Sequence, residues 1–206
     1  MAQQSCSAED FIGRFMTEYA VISGKKRWVE KTPANVLHLE RIFSFWPKAY
    51  FVYVVRDPRD VYSSVCRAGK WTEPDIFAKL WIKFINAYEK AKKVVPPRSI
   101  MEVKYEELVL EPEKTMRDVL DFVGESWEKG VARFLGEPKD FERVRKFTGK
   151  SSTTLEQLSR PLVKNRIGAW RNELENEKDL LKLEEIIKNM GFYDTWVAYQ
   201  YSISFL

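Results

Sequence analysis

The strongest chemical signal lies where an apolar run, Tyr50–Val55, meets Arg56-Asp57-Pro58-Arg59-Asp60, with Ser63 and Ser64 following. An arginine presents a planar fork of donors matched to carboxylate or phosphate oxygens. The free N–H groups at a helix start favour the same negative charge. Asp57 has the chemistry of an N-cap, Pro58 suits the first helical position, and Asp60 sits near the positive end of the helix dipole. Two readings follow. Arg56 and the helix start hold a phosphate-like anion, or Arg56 pairs with the neighbouring aspartates in a structural ion pair at a strand–helix corner. Residue types alone leave both open.

Other chemistries are narrowed by what is scarce. His38 is the one histidine, among apolar neighbours, and reads as a helix-surface or boundary residue. A Ser–His–Asp triad or a multi-histidine metal site has no second histidine to draw on. Two cysteines, Cys6 and Cys66, are too few for a disulfide scaffold or a zinc site, which makes a reducing, cytoplasmic setting the expectation.

The elements that must carry Arg56 follow from periodicity. Ser7 and Asp10 open a helix with Phe11, Ile12, Phe15, Met16, Tyr19 and Ile22 at helical spacing, stopped by Gly24. Trp28-Val29-Glu30 reads as a brief strand, and Leu39, Ile42, Phe43 and Trp46 as a helix ended by Pro47. Tyr50–Val55, β-branched and aromatic throughout, reads as a parallel strand buried on both faces. A long helix spans 75–95, a second strand Ile100–Tyr105, and further helices are centred on Leu120 and Phe134. A last helix opens at Asn176 and stops at Gly191, and the tail alternates like a strand through Val197, Tyr199, Tyr201, Ile203 and Phe205. Strands alternating with helices predict an α/β domain with a mainly parallel sheet.

Composition agrees. The chain has 206 residues, 45% hydrophobic and 31% charged, with 34 Lys+Arg against 30 Asp+Glu and a net charge of +4. This is a globular composition, neither disordered nor collagenous. The charge is too mild to argue for nucleic acid but suits an anionic ligand. No apolar run approaches the ~20 residues of a membrane span, and the N-terminus has no signal-peptide core. The length predicts a single domain over 1–206. Within it, 1–24 is a helical lead-in, 25–136 the core that carries the strand–helix corner, 137–175 a mobile basic segment, and 176–206 the terminal helix and strand-like tail.

Taken in order, several segments resemble the PAPS-dependent sulfotransferases, with the bacterial and tyrosylprotein branches nearest in style. They are Glu30-Lys31-Thr32-Pro33, Ala49 through Val61 with Ser64, Val103 through Leu108, Glu111-Pro112-Glu113, and Lys164 through Arg171. The resemblance covers most of residues 25–190. It implies a P-loop-NTPase-like parallel sheet flanked by helices, and transfer of a sulfuryl group from PAPS to a small-molecule or peptidyl hydroxyl without a metal. Arg56 and Ser64 would hold the nucleotide 3′-phosphate, with Tyr105 against the adenine or ribose. Lys164, Arg166 and Arg171 would close over the 3′-phosphate, and Trp170 reads as a packing anchor among them. Lys31 would stabilise charge developing on the transferring group, and Ser159 would fill the family's late serine beside it.

This sequence also departs from that pattern. Asn165 stands where the late segment has its first glycine, and Pro33 where a general-base histidine would stand. The family's opening strand and 5′-phosphosulfate loop find no match. Ser23-Gly24-Lys25-Lys26 follows a predicted helix instead, so an N-terminally incomplete fold is expected. An incomplete sheet edge favours pairing with another copy, and the alternating tail is a candidate extra strand. The alternative to a transferase is therefore a non-catalytic protein that keeps the 3′-phosphate half-site for nucleotide or partner binding. A phosphate-directed kinase is a weaker third reading, since it needs the same loop and Mg²⁺ ligands.

Overall fold

A computed structural model describes residues 7–70, 72–132, 164–174 and 177–201 of the chain. Ser159, the 137–159 stretch and tail residues Ile203 and Phe205 lie outside the described residues. Packing divides the chain into two units, Met1–Ala49 with Lys83–Val95, and Tyr50–Ile82 with Pro96–Leu206.

In the first unit, the Ser7 side chain accepts a hydrogen bond from Asp10 N and starts helix α1 (Ala8–Ile22). A 3₁₀ turn (Pro33–His38) leads into α2 (Leu39–Phe45). Gly13 lets Trp46 approach closely, since a Cβ there would meet the indole Nε1 at 3.1 Å. Trp28 packs edge-on against Trp46, and Glu9 pairs with Arg41. Trp28-Val29-Glu30, expected as a brief strand, forms none. The Glu30 carboxylate instead accepts from Thr32 Oγ1 and Asn35 Nδ2 at the start of the 3₁₀ turn.

The second unit is built on strands β1 (Phe51–Val55) and β2 (Ile100–Lys104), paired in parallel from Phe51↔Ile100 to Val55↔Lys104. Parallel strands need a long crossover. Here α3 (Pro58–Arg67) and α4 (Pro74–Val94) supply it, with α4 contributing its residues through Ile82 to this unit. After β2 come α5 (Tyr105–Leu110), α6 (Pro112–Val123) and α7 (Lys129–Ala132). The described late chain holds a 3₁₀ turn (Lys164–Arg166), α8 (Trp170–Glu173), α9 (Glu177–Asn189) and α10 (Tyr193–Ala198). The expected α/β class and parallel pairing are present. Burial of β1 on both faces is not, since Val52 and Val54 are 40% and 52% exposed.

The strand reading of the tail is corrected over its described part. Gly191, at φ +78°, takes the left-handed conformation that ends α9 and turns the chain. Residues 193–198 then coil into α10, which delivers Trp196 to the core. There Tyr62, Phe77, Ala78, Ile82, Leu183, Ile187 and Trp196 form one buried cluster. The Trp196 and Trp81 rings meet edge-on at 5.4 Å, and the indole N–H donates to Glu184. Burying a large aromatic outweighs the alternation that suggested a strand.

Candidate functional site

The carboxyl ends of parallel strands, where helices begin, are the usual ligand position in open α/β sheets. Here β1 and β2 end side by side, β1 delivering Arg56 and Asp57, β2 delivering Tyr105 and Glu106. The Asp57 side chain caps α3 as expected, accepting from Arg59 N at 2.9 Å. It also takes the Arg59 guanidinium on both oxygens, at 3.0 and 2.7 Å. The Asp57 backbone N–H is bound in turn by the buried Glu106 carboxylate at 2.9 Å, which ties the two strand ends together. Burial pushes the Glu106 carboxyl above its ordinary range, an effect that the Asp57 N–H bond opposes.

Arg56 is half-buried over the Tyr105 ring, with its guanidinium carbon 4.7 Å from the ring centre. One of its terminal nitrogens donates to the Arg166 carbonyl at 2.7 Å and lies 3.8 Å from Asp60 Oδ2. The internal ion pair of the sequence reading is thus present, but long. The Arg56 Nε is buried with no acceptor among the described residues, and so is the Trp170 indole nitrogen. Unpaired buried donors are costly. The Arg56 donor at the end of β1 suits an acceptor-rich ligand, and the residues present therefore fit an anionic group.

The late basic segment lies against α3. Asp60, fully buried, accepts from Gly168 N at 2.7 Å and Trp170 N at 3.0 Å. Glu173 takes the Arg166 guanidinium, the Ser63 hydroxyl at 2.7 Å and Arg67 at 3.2 Å. Chiefly through Arg166, and then Ser63, its pKa is held down at about 2. The Trp170 ring is flanked by the Arg59 and Arg171 guanidiniums at 4.4 and 4.7 Å, the packing role expected for it.

Of the residues singled out in the sequence, the structure brings Arg56, Tyr105 and Arg166 into one contact chain. Ser64 sits half-buried on α3, and its hydroxyl makes no hydrogen bond among the described residues. Lys164 is exposed at the start of the late turn, and Lys31 is exposed in the first unit. The sequence reading missed Glu106 and Glu173, and gave Asp60 a place by the helix dipole and a pairing with Arg56 but no contact with the late segment. The contacts that tie them to other elements, Glu106 to Asp57 N, Glu173 to Ser63 and Arg67, and Asp60 to Gly168 and Trp170, span about fifty to over a hundred residues, so spacing carried no signal for these.

A family model described as "Sulfotransferase family" matches residues 3–129, more than half of the chain. The chain is 24% identical over 195 residues to a protein-tyrosine sulfotransferase of Drosophila melanogaster, covering 88% of this chain and 38% of that protein. It is 23% identical over 150 residues to an omega-hydroxy-beta-dihydromenaquinone-9 sulfotransferase of Mycobacterium tuberculosis, covering 65% and 37%. To protein-tyrosine sulfotransferase 1 of Danio rerio it is 26% identical over 184 residues, covering 79% and 47%. The chain thus spans less than half the length of these curated relatives. Among solved structures, a sulfotransferase domain from the curacin biosynthetic pathway shares the fold, with TM-score 0.61 and 17% identity over 89% of this chain and 67% of that one.

Proposed function

The chain belongs to the sulfotransferase family, and from that premise we propose that it binds PAPS at the β1–β2 strand ends and passes its sulfuryl group to a hydroxyl acceptor. The observation that carries this reading is Arg56, whose buried Nε has no acceptor among the described residues although the guanidinium is fixed by the Arg166 carbonyl and the Tyr105 ring. A guanidinium fixed in this way is preorganised for a phosphate.

In this reading Arg56 and the Ser64 hydroxyl hold the 3′-phosphate, and Tyr105 supports the adenine or ribose. Lys164 and Arg166 close the anion site from the late segment. PAPS, when bound, supplies a sulfuryl group activated by its phosphosulfate anhydride. The family resemblance gives Lys31 the role of a positive charge that favours transfer, and Ser159 that of a hydroxyl donor. The relatives named for tyrosine and for a hydroxylated menaquinone make phenolic and aliphatic hydroxyls the acceptor classes to try.

A second reading, a nucleotide-binding protein without transfer, is favoured by one feature: Ser23-Gly24-Lys25-Lys26 follows helix α1 rather than a strand, unlike a phosphate loop. Incubation with ³⁵S-labelled PAPS and a panel of phenols, tyrosyl peptides and long-chain alcohols separates the two. Labelled product that disappears in Arg56→Ala supports the transferase. Nucleotide binding without product from any acceptor supports the second reading.

A further inference from the structure

Asp60 is placed in the first turn of α3, yet Asp57 performs the capping. Its side chain is wholly buried, a costly position for a carboxylate unless it is fully hydrogen-bonded. What it binds is a segment more than a hundred residues away: Oδ2 accepts Gly168 N at 2.7 Å and Oδ1 accepts Trp170 N at 3.0 Å. Gly168 has φ +71°, the left-handed conformation that lets neighbouring N–H groups converge on one anion. The nest formed by this turn is therefore filled by an internal carboxylate.

The same segment returns to Arg56 from its other end. The Arg166 carbonyl, two residues before Gly168, accepts from the Arg56 guanidinium at 2.7 Å. Arg56 and Asp60, one helical turn apart, thus grip one short stretch of chain from a single strand–helix corner. A second carboxylate, Glu173, holds the far end of that stretch through Ser63 and Arg67 of α3.

We propose that Asp60 is a positioning residue for nucleotide binding. Its carboxylate seats the turn 166–170 on α3, which orients Arg56 and brings the basic segment to the strand ends. The inference rests on the nucleotide reading above for its consequence, while the seating itself stands on geometry alone. Asparagine is close to aspartate in shape but offers one acceptor, and its NH₂ would face a backbone N–H. Asp60→Asn therefore removes the grip with little change in volume. Glutamate keeps both acceptors and displaces them.

The test combines backbone amide exchange with nucleotide titration on the whole chain, for wild type, Asp60→Asn and Asp60→Glu. In Asp60→Asn, Gly168 and Trp170 amides are expected to exchange faster by about tenfold or more, while core amides at Leu183 and Ile187 keep their wild-type rates. Affinity for 3′-phosphoadenosine 5′-phosphate should fall by about tenfold or more, as misplacement of a positioned group costs, while affinity for 5′-AMP, which lacks the 3′-phosphate, stays unchanged. Asp60→Glu should recover part of both effects, and it carries the same readouts if the asparagine variant does not fold.

Unchanged exchange at Gly168 and Trp170 would overturn the seating. Faster exchange throughout the chain, or equal loss of affinity for both nucleotides, would reduce Asp60 to a structural role. If wild type binds neither nucleotide, the functional reading fails and the positioning role with it, while the exchange rates still decide the seating.

Discussion

Carboxylates at the strand-end corner differ sharply in how the fold treats their charge, and pH should separate them. Glu173 is surrounded by donors, and its pKa is held at about 2. Its stabilising effect is complete above the ordinary carboxylate value and fades as pH falls toward about 2. Urea midpoints measured across that acid range should therefore decline less steeply in Glu173→Gln than in wild type. Glu106 has the opposite sign, because burial raises its pKa. Its ionisation opposes folding increasingly as pH rises through the carboxylate range and beyond. A glutamine there can still accept from Asp57 N, so Glu106→Gln should gain stability relative to wild type at pH 7 and lose that advantage in acid. An equal difference at both pH values would contradict the assignment. At this scale the strand-end placement of Arg56 was legible from the apolar run that precedes it and the cap and proline that follow. The grip of Asp60 on Gly168 and Trp170, and of Glu173 on Ser63 and Arg67, was not, since those contacts join distant segments that no local spacing encodes.

Helix α3 was readable residue by residue: strand, cap, proline, helix. Parallel pairing of β1 and β2 was implied by the helical crossover between them. The tail was misread because a six-residue helix is too short to display its period, whereas Val197, Tyr199 and Tyr201 happen to fall two apart. Trp196 decides the matter, being fully buried beside Trp81 and the α9 residues Leu183 and Ile187. Trp196→Ala should cost about 3–5 kcal/mol, as a large aromatic deletion in a packed core does. Chemical denaturation would show it, and a loss below ~1 kcal/mol would mean that α10 is peripheral to the core. The α10 end also reaches the site corner, since Tyr201 N donates to Asp57 Oδ2 and Tyr199 Oη to Glu102, contacts that a strand-like tail did not foresee.

For the whole molecule, family membership and the α/β fold agree with a sequence whose motifs occur in the right order, although each is weak alone. Length was the feature that composition could not interpret. A chain spanning less than half of its curated relatives carries the strand-end corner and the late basic turn, and the proposed function turns on whether that corner binds PAPS. Exposure of Val52 and Val54 marks where expectation and packing part, because burial depends on neighbours that a single strand's sequence does not specify. The central claim is that Arg56 makes this corner a 3′-phosphate site. Isothermal titration of 3′-phosphoadenosine 5′-phosphate and 5′-AMP into wild type and Arg56→Ala tests it most directly. The account predicts that wild type prefers the 3′-phosphorylated nucleotide by about tenfold or more, the worth of one charge-assisted contact, and that Arg56→Ala abolishes the preference. Equal affinity of wild type for both nucleotides, or a preference that survives in Arg56→Ala, would contradict it.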